Sequence, residues 1–96
     1  MYGTVARLRV KPGSEAKFIE VGRAMETVNI PGHVASYVYQ MDTNPNEFYL
    51  AVIFTSKEAY QANAASPEQN ERFTQLMETL ASEPEWHDGE IVTHSA

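Results

Sequence analysis

No cysteine occurs among the 96 residues, so neither a disulfide framework nor a thiolate metal site is available, and the redox compartment is left open. Basic residues are scarce as well: seven Lys and Arg stand against thirteen Asp and Glu, for a formal charge of −6. The densest basic stretch, Arg7-Leu8-Arg9-Val10-Lys11, is too short to form the positive face that nucleic acid or an anionic membrane needs. No apolar run approaches the roughly 18 residues of a membrane-spanning helix. The N-terminal MYGTVARLRV alternates instead of forming a signal-type apolar segment. These absences point to a cytoplasmic protein with neither nucleic acid nor membrane as partner. A chain this short buries only about 60–65% of the surface it exposes when unfolded. With no disulfide to support so thin a core, oligomerisation is the common remaining remedy.

What is present reads as one domain over residues 1–96, with no linker, repeat or low-complexity segment. Tyr2, Thr4, Ala6, Leu8 and Val10 alternate with Gly3, Val5, Arg7 and Arg9, which is a strand period. Lys11-Pro12-Gly13 ends it, and Ser14 is placed to cap a helix carrying Phe18, Val21, Met25 and Val28 at helical spacing until Asn29–Gly32 stops it. Gly22 inside that helix suggests close packing. His33–Asp42 and Glu47–Thr55 are rich in β-branched and aromatic residues, and Thr43-Asn44-Pro45-Asn46 between them is turn chemistry. Ser56 opens a short helix. Ser66-Pro67-Glu68-Gln69 restarts it with a capping-box signature, and Phe73, Leu76, Met77 and Leu80 form its apolar stripe up to Glu83-Pro84. Ile91–His94 reads as a short closing strand. The order predicts an α+β fold of the ferredoxin-like βαββαβ type, its second helix broken in two, with an antiparallel sheet.

If the hairpin turn pairs Asp42 with Glu47, Ala35, Tyr37, Tyr39 and Met41 share a face with Phe48, Leu50, Val52 and Phe54. Val34, Ser36 and Val38 then share the other with Tyr49, Ala51, Ile53 and Thr55. Both faces are apolar, and right-handed crossovers put both helical layers on one side. The opposite face would be a large exposed apolar patch in a monomer, which predicts a homodimer stacked sheet on sheet.

The run IPGHVASYVYQMDTNPNEFYLAVIFTSKEAYQANAASPEQNERF, with ARLRVKPG before it, resembles the antibiotic biosynthesis monooxygenase family of dimeric α/β barrels. That resemblance implies the same fold and dimer. It also implies cofactor-independent oxygenation of a small quinol- or polyketide-like aromatic or, failing catalysis, a non-catalytic dimeric protein that binds a small molecule. Haem-degrading members of the family carry an Asn, a Trp and a haem-ligating His at positions that align here with Ala6, Asn63 and Phe73. Alanine cannot hydrogen-bond through its side chain and phenylalanine cannot ligate iron, so haem degradation is disfavoured and no cofactor is expected. Quinol-oxidising relatives often have His where Asn63 stands, and an amide is no general base at neutral pH.

The resemblance places Asn63, Tyr60, His33 and Trp86 near a cavity between helices and sheet, and makes Ala6 and Phe73, at the aligned haem-site positions, further substrate-binding candidates. An imidazole is the side chain that most readily exchanges a proton near neutrality, which makes His33 and His87 the candidate bases; for His33 the competing reading is a strand-entrance histidine that is exposed or bonded to backbone. PEWHDGEIV, residues 84–92, could bring His87, Asp88 and Glu90 to a metal with His94. Asp-Gly is a turn signal, however, and consecutive residues of a loop point apart, so no metal is expected and Trp86 is read as an anchor for a loop into the last strand. Tyr37, Tyr39 and Tyr49 are read as sheet and interface packing, and Arg7 and Arg9 as partners of surface carboxylates.

Overall fold

In the computed structural model, which describes residues 1–95, the N-terminal alternation becomes a central strand, β1 (Tyr2–Arg9). It is followed by α1 (Glu15–Ala24) with a 3-10 turn at Met25–Thr27, β2 (His33–Met41), β3 (Asn44–Phe54), α2 (Lys57–Ala64), α3 (Pro67–Met77) and β4 (Glu85–Glu90). Strand order is β2-β3-β1-β4 and every neighbouring pair is antiparallel, which is the expected ferredoxin-like arrangement with its second helix in two pieces. The helices cover the face of β1 that carries Thr4, Ala6, Leu8 and Val10, all of them buried. Phe18 of α1 meets Phe48 of β3 with ring centroids 4.6 Å apart, and Leu8, Val10 and Leu80 close around the pair. Each such buried apolar side chain contributes about 1.5–3 kcal/mol.

Local capping chemistry holds for the later helices and fails for the first. Ser56 accepts from the Ala59 N–H at 3.1 Å and Ser66 from the Gln69 N–H at 3.1 Å, with Pro67 in the first turn of α3. The Gln69 amide does not complete a capping box; its oxygen instead accepts from Arg72 Nε at 3.2 Å. Ser14 makes no side-chain cap bond. Glu15 takes over at that terminus: its carboxylate accepts from the Gly13 N–H at 3.0 Å and from the Asn46 amide, which ties α1 to β3. Gly32 has a φ of +79°, and a Cβ there would stand 2.6 Å from the Ala59 Cβ, so this turn requires glycine.

Three further expectations, on the hairpin, the last strand and Gly22, are corrected. The hairpin turns at Asp42-Thr43 with Met41 opposite Asn44, after which the register shifts so that Gln40, Val38 and Ser36 face Phe48, Leu50 and Val52. The extra residues are Pro45-Asn46-Glu47. Pro45 has no N–H for the ladder, and Asn46 turns toward β1, accepting from the Val10 N–H at 2.8 Å. Relative to the Asp42–Glu47 pairing this is a one-residue slip, which exchanges the two faces of β2. Ser36, Val38 and Gln40 therefore lie on the helix side, and Tyr37 and Tyr39 on the outer face with Tyr49, Ala51 and Ile53.

The last strand lies earlier than expected. Leu80 leaves helical structure and bridges Val10, the Ala81 N–H donates to the Arg9 carbonyl at 2.8 Å, and β4 then runs along β1 until Glu90 stands opposite Tyr2. By Ile91, whose N–H reaches the Met1 carbonyl at 2.9 Å, β1 has run out, so Ile91–His94 has no strand to pair with. Asp88-Gly89 is extended strand and not a turn. Gly22, third, is not closely packed: a Cβ there would meet nothing within 4 Å. Arg7 is paired as expected, Nε donating to Glu47 at 2.8 Å and Nη1 to Glu85 at 3.4 Å, whereas Arg9 forms no ion pair among the described residues.

Candidate functional site

Side-chain packing is dense where α1 meets β1 and β3, and it opens toward β2, where Val38 remains 49% exposed on the helix side. Between the helices and this part of the sheet lies an open cavity of about 1090 Å³. Its floor is built from the inward residues of the strands, and Ile19, Gly22, Phe73 and Leu76 contribute to its walls. A second hollow of about 510 Å³ between the Pro31-Gly32 turn, α2 and α3 adjoins it, and Asn63 lines both. The polar groups relevant to chemistry converge in the larger one.

The registers align one cross-sheet row on the helix side: Ser36 opposite Val52, Val52 opposite Thr4, Thr4 opposite Asp88. His33, at the start of β2, lies at the Ser36 end. Its Nε2 is 2.7 Å from Ser36 Oγ, and its ring stands edge-on to Phe54 with centroids 5.5 Å apart. Tyr60 of α2 stands over the other end, its ring 5.4 Å from that of Tyr2 and 5.7 Å from that of Phe54. Its hydroxyl donates to Asp88 Oδ1 at 3.0 Å. Burial and then this bond to a carboxylate push the Tyr60 phenol up to about 12, and the Thr4 hydroxyl opposes the shift. Thr4 Oγ1 is buried without a hydrogen-bond partner.

The structure thus brings His33, Tyr60, Asn63, Phe73 and Trp86 around one cavity. Trp86 sits at the mouth, 43% exposed, its ring 5.8 Å from Phe73. It belongs to β4 itself and not to a loop. Ala6 is fully buried in the core cluster beneath. His87 is set apart: it pairs with Val5 on the outer face, with Nε2 3.8 Å from Glu85 Oε1. Strand alternation directs His87 away from Asp88 and Glu90, and no group of three or more metal-ligating side chains forms among the described residues. Thr4 and Ser36 escaped the sequence reading, and Asp88 was weighed there only as a metal ligand. For Thr4 a signal existed, a hydroxyl within an otherwise apolar stripe; for Asp88 the Asp-Gly pair suggested a turn.

The family model described as antibiotic biosynthesis monooxygenase matches residues 1–71. Among solved structures, a conserved protein from Methanosarcina mazei Go1 superposes with a TM-score of 0.81 at 24% identity, over 92% of this chain and 89% of that one. A mutant of SnoaB, a cofactor-independent oxygenase from Streptomyces nogalater, gives a TM-score of 0.85 at 19% identity over 97% and 94% of the two chains. A protein of unknown function from Nitrosomonas europaea gives 0.82 at 18% identity over 99% and 92%. At these identities the likeness is one of fold. No curated protein matches the sequence. No helix among the described residues is long and apolar enough to cross a membrane.

Proposed function

The chain belongs to the antibiotic biosynthesis monooxygenase family, and on that premise we propose that it is a cofactor-independent monooxygenase of a small, electron-rich aromatic held between the helices and the sheet. The observation that carries this reading is the cavity: about 1090 Å³, floored by Leu8, Phe48, Leu50, Val52 and Phe54, with Thr4, His33, Ser36, Tyr60 and Asp88 among its polar lining. Such a site suits a flat ring system, since apolar walls supply contact area and a few polar groups fix orientation. SnoaB, of the same fold, is itself a cofactor-independent oxygenase.

His33 is the base in this reading. Tyr60, with its phenol pushed up to about 12, holds its proton at neutral pH, and the Asn63 amide cannot accept one usefully. His33 takes the proton of a phenolic hydroxyl, with Ser36 holding the imidazole, and the resulting anion passes an electron to oxygen. The overall reaction needs no added reductant when an activated ring methylene becomes a carbonyl. One oxygen atom enters the substrate, the other leaves as water, and the substrate supplies the four electrons.

The test is oxygen uptake by metal-free protein with a hydroxylated anthrone, corrected for spontaneous oxidation. Turnover is expected, with His33→Ala lowering it by about 100-fold or more. An unchanged rate in His33→Ala would remove His33 from the mechanism. The second reading, a dimeric binding protein without catalysis, is favoured by Asn63 and Tyr60, neither of which is a base. It predicts saturable binding of the same compound with no oxygen uptake.

A further inference from the structure

We propose that Thr4 and Asp88, beside Tyr60, form a subsite that recognises an aromatic hydroxyl group and rejects its ether or carbonyl counterpart. The inference rests on the reading of the cavity as an aromatic-binding site and specifies which substituent that site requires.

Thr4 and Asp88 face each other across β1 and β4, and facing antiparallel residues hold their Cβ atoms about 4.5–5.5 Å apart. The Tyr60 hydroxyl spends its proton on Asp88 Oδ1 at 3.0 Å. Asp88 has no other side-chain hydrogen bond and no ion pair among the described residues, so Oδ2 retains its acceptor capacity. Thr4 is only 5% exposed and lines the cavity, yet its Oγ1 has no partner. The Thr4 hydroxyl is close enough to Tyr60 to act on its ionisation without reaching hydrogen-bond geometry. A buried hydroxyl left unbonded is unfavourable, and valine would fill the same volume without that cost. A ligand that completes the set accounts for threonine at this place.

The complement follows from what each group can do. A carboxylate only accepts, so the ligand must bring a hydrogen to Asp88. Thr4 can donate, so the same ligand atom should also accept. A hydroxyl does both. An ether or a carbonyl offers lone pairs alone, and these would face the Asp88 carboxylate. The row continues through Val52 to Ser36, which holds His33, across three strand spacings or about 14 Å. A fused aromatic bound by one hydroxyl at Thr4 and Asp88 would extend along that row toward the His33 end.

The experiment is calorimetric titration of wild type, Thr4→Val and Asp88→Asn with β-naphthol and with its methyl ether, together with thermal melts of the free proteins. Wild type should bind naphthol about tenfold or more tighter than the ether, because a site built for a hydroxyl is left unpaired by an analogue that cannot donate. Thr4→Val should melt no lower than wild type while its preference falls to about twofold or less, a combination that a purely structural threonine would not produce. Asp88→Asn keeps an oxygen for Tyr60 but turns the free acceptor into a donor, so the preference should vanish or invert. Equal affinities in wild type, or a preference that survives both substitutions, would sink the subsite and leave the aromatic cavity standing. If neither compound binds, the cavity reading falls and the subsite with it.

Discussion

Tyr60 links the packing of α2 to the polar row on the sheet, because its ring is fixed by Tyr2 and Phe54 while its hydroxyl is committed to Asp88. Its phenol is raised from 10.0 to about 12, so the folded protein keeps this proton longer than the unfolded chain. A raised value contributes stability that is fully present below the unfolded value and lost as pH climbs through the folded one. Denaturant midpoints should therefore fall between about pH 10 and 12, and Tyr60→Phe should flatten that part of the curve; an identical alkaline profile in the variant would refute the assignment. Glu15 is the acid-side counterpart. Its own N–H, the Gly13 N–H and the Asn46 amide hold the carboxyl below its usual range, which favours the folded state except where falling pH protonates it. At this scale the family resemblance pointed to His33, Tyr60, Asn63, Phe73 and Trp86, which line the cavity, whereas Ala6 lies in the core beneath it and His87 on the outer face. The place of Thr4, Ser36 and Asp88 was not legible, because their role depends on which strand lies beside which.

Helices α2 and α3 were legible in detail because their signals are local: Ser56 and Ser66 each lie three residues before the N–H they cap. The start of α1 misled, since Ser14 and Glu15 compete for the same terminus and the carboxylate, supported by Asn46 from β3, prevails. Gly22 misled too. It faces open space and lines the cavity, so Gly22→Ala should gain about 0.4–1 kcal/mol through helix propensity and reduced freedom of the unfolded chain. Chemical denaturation checks this, and a lower midpoint would show that the helix needs glycine for packing after all. Strand β4 was displaced in the reading because nothing within Glu85–Glu90 announces it. Its existence depends on the unpaired edge of β1, and the chain reaches that edge through the Leu80–Val10 bridge.

On the scale of the whole molecule, the outer face of the sheet is uncovered: Val5 is 50% exposed, and Tyr37 and Tyr39 are each 54% exposed. Ala51 lies between Val5 and Tyr37 in the register, and of the two arginines on this face Arg7 is held by Glu47 and Glu85, while Arg9 at the end of β1 forms no ion pair among the described residues. Stacking a second copy there would remove this apolar and aromatic surface from water, and on that ground we propose a dimer through the sheets. Sedimentation should give twice the chain mass, and the double substitution Val5→Asp with Tyr37→Asp should give the monomer; a monomeric wild type at micromolar concentration would exclude this mode. The sequence by itself determined the order of elements, the antiparallel α+β class and the two-piece second helix, because periodicity and capping are properties of neighbouring residues. Only the tertiary structure decided which face of β2 meets the helices, where the last strand lies and that Ser36, which bonds His33, shares a row with Asp88. Each of these depends on pairing between distant segments, where a slip of one residue sends every side chain of a strand to the other side.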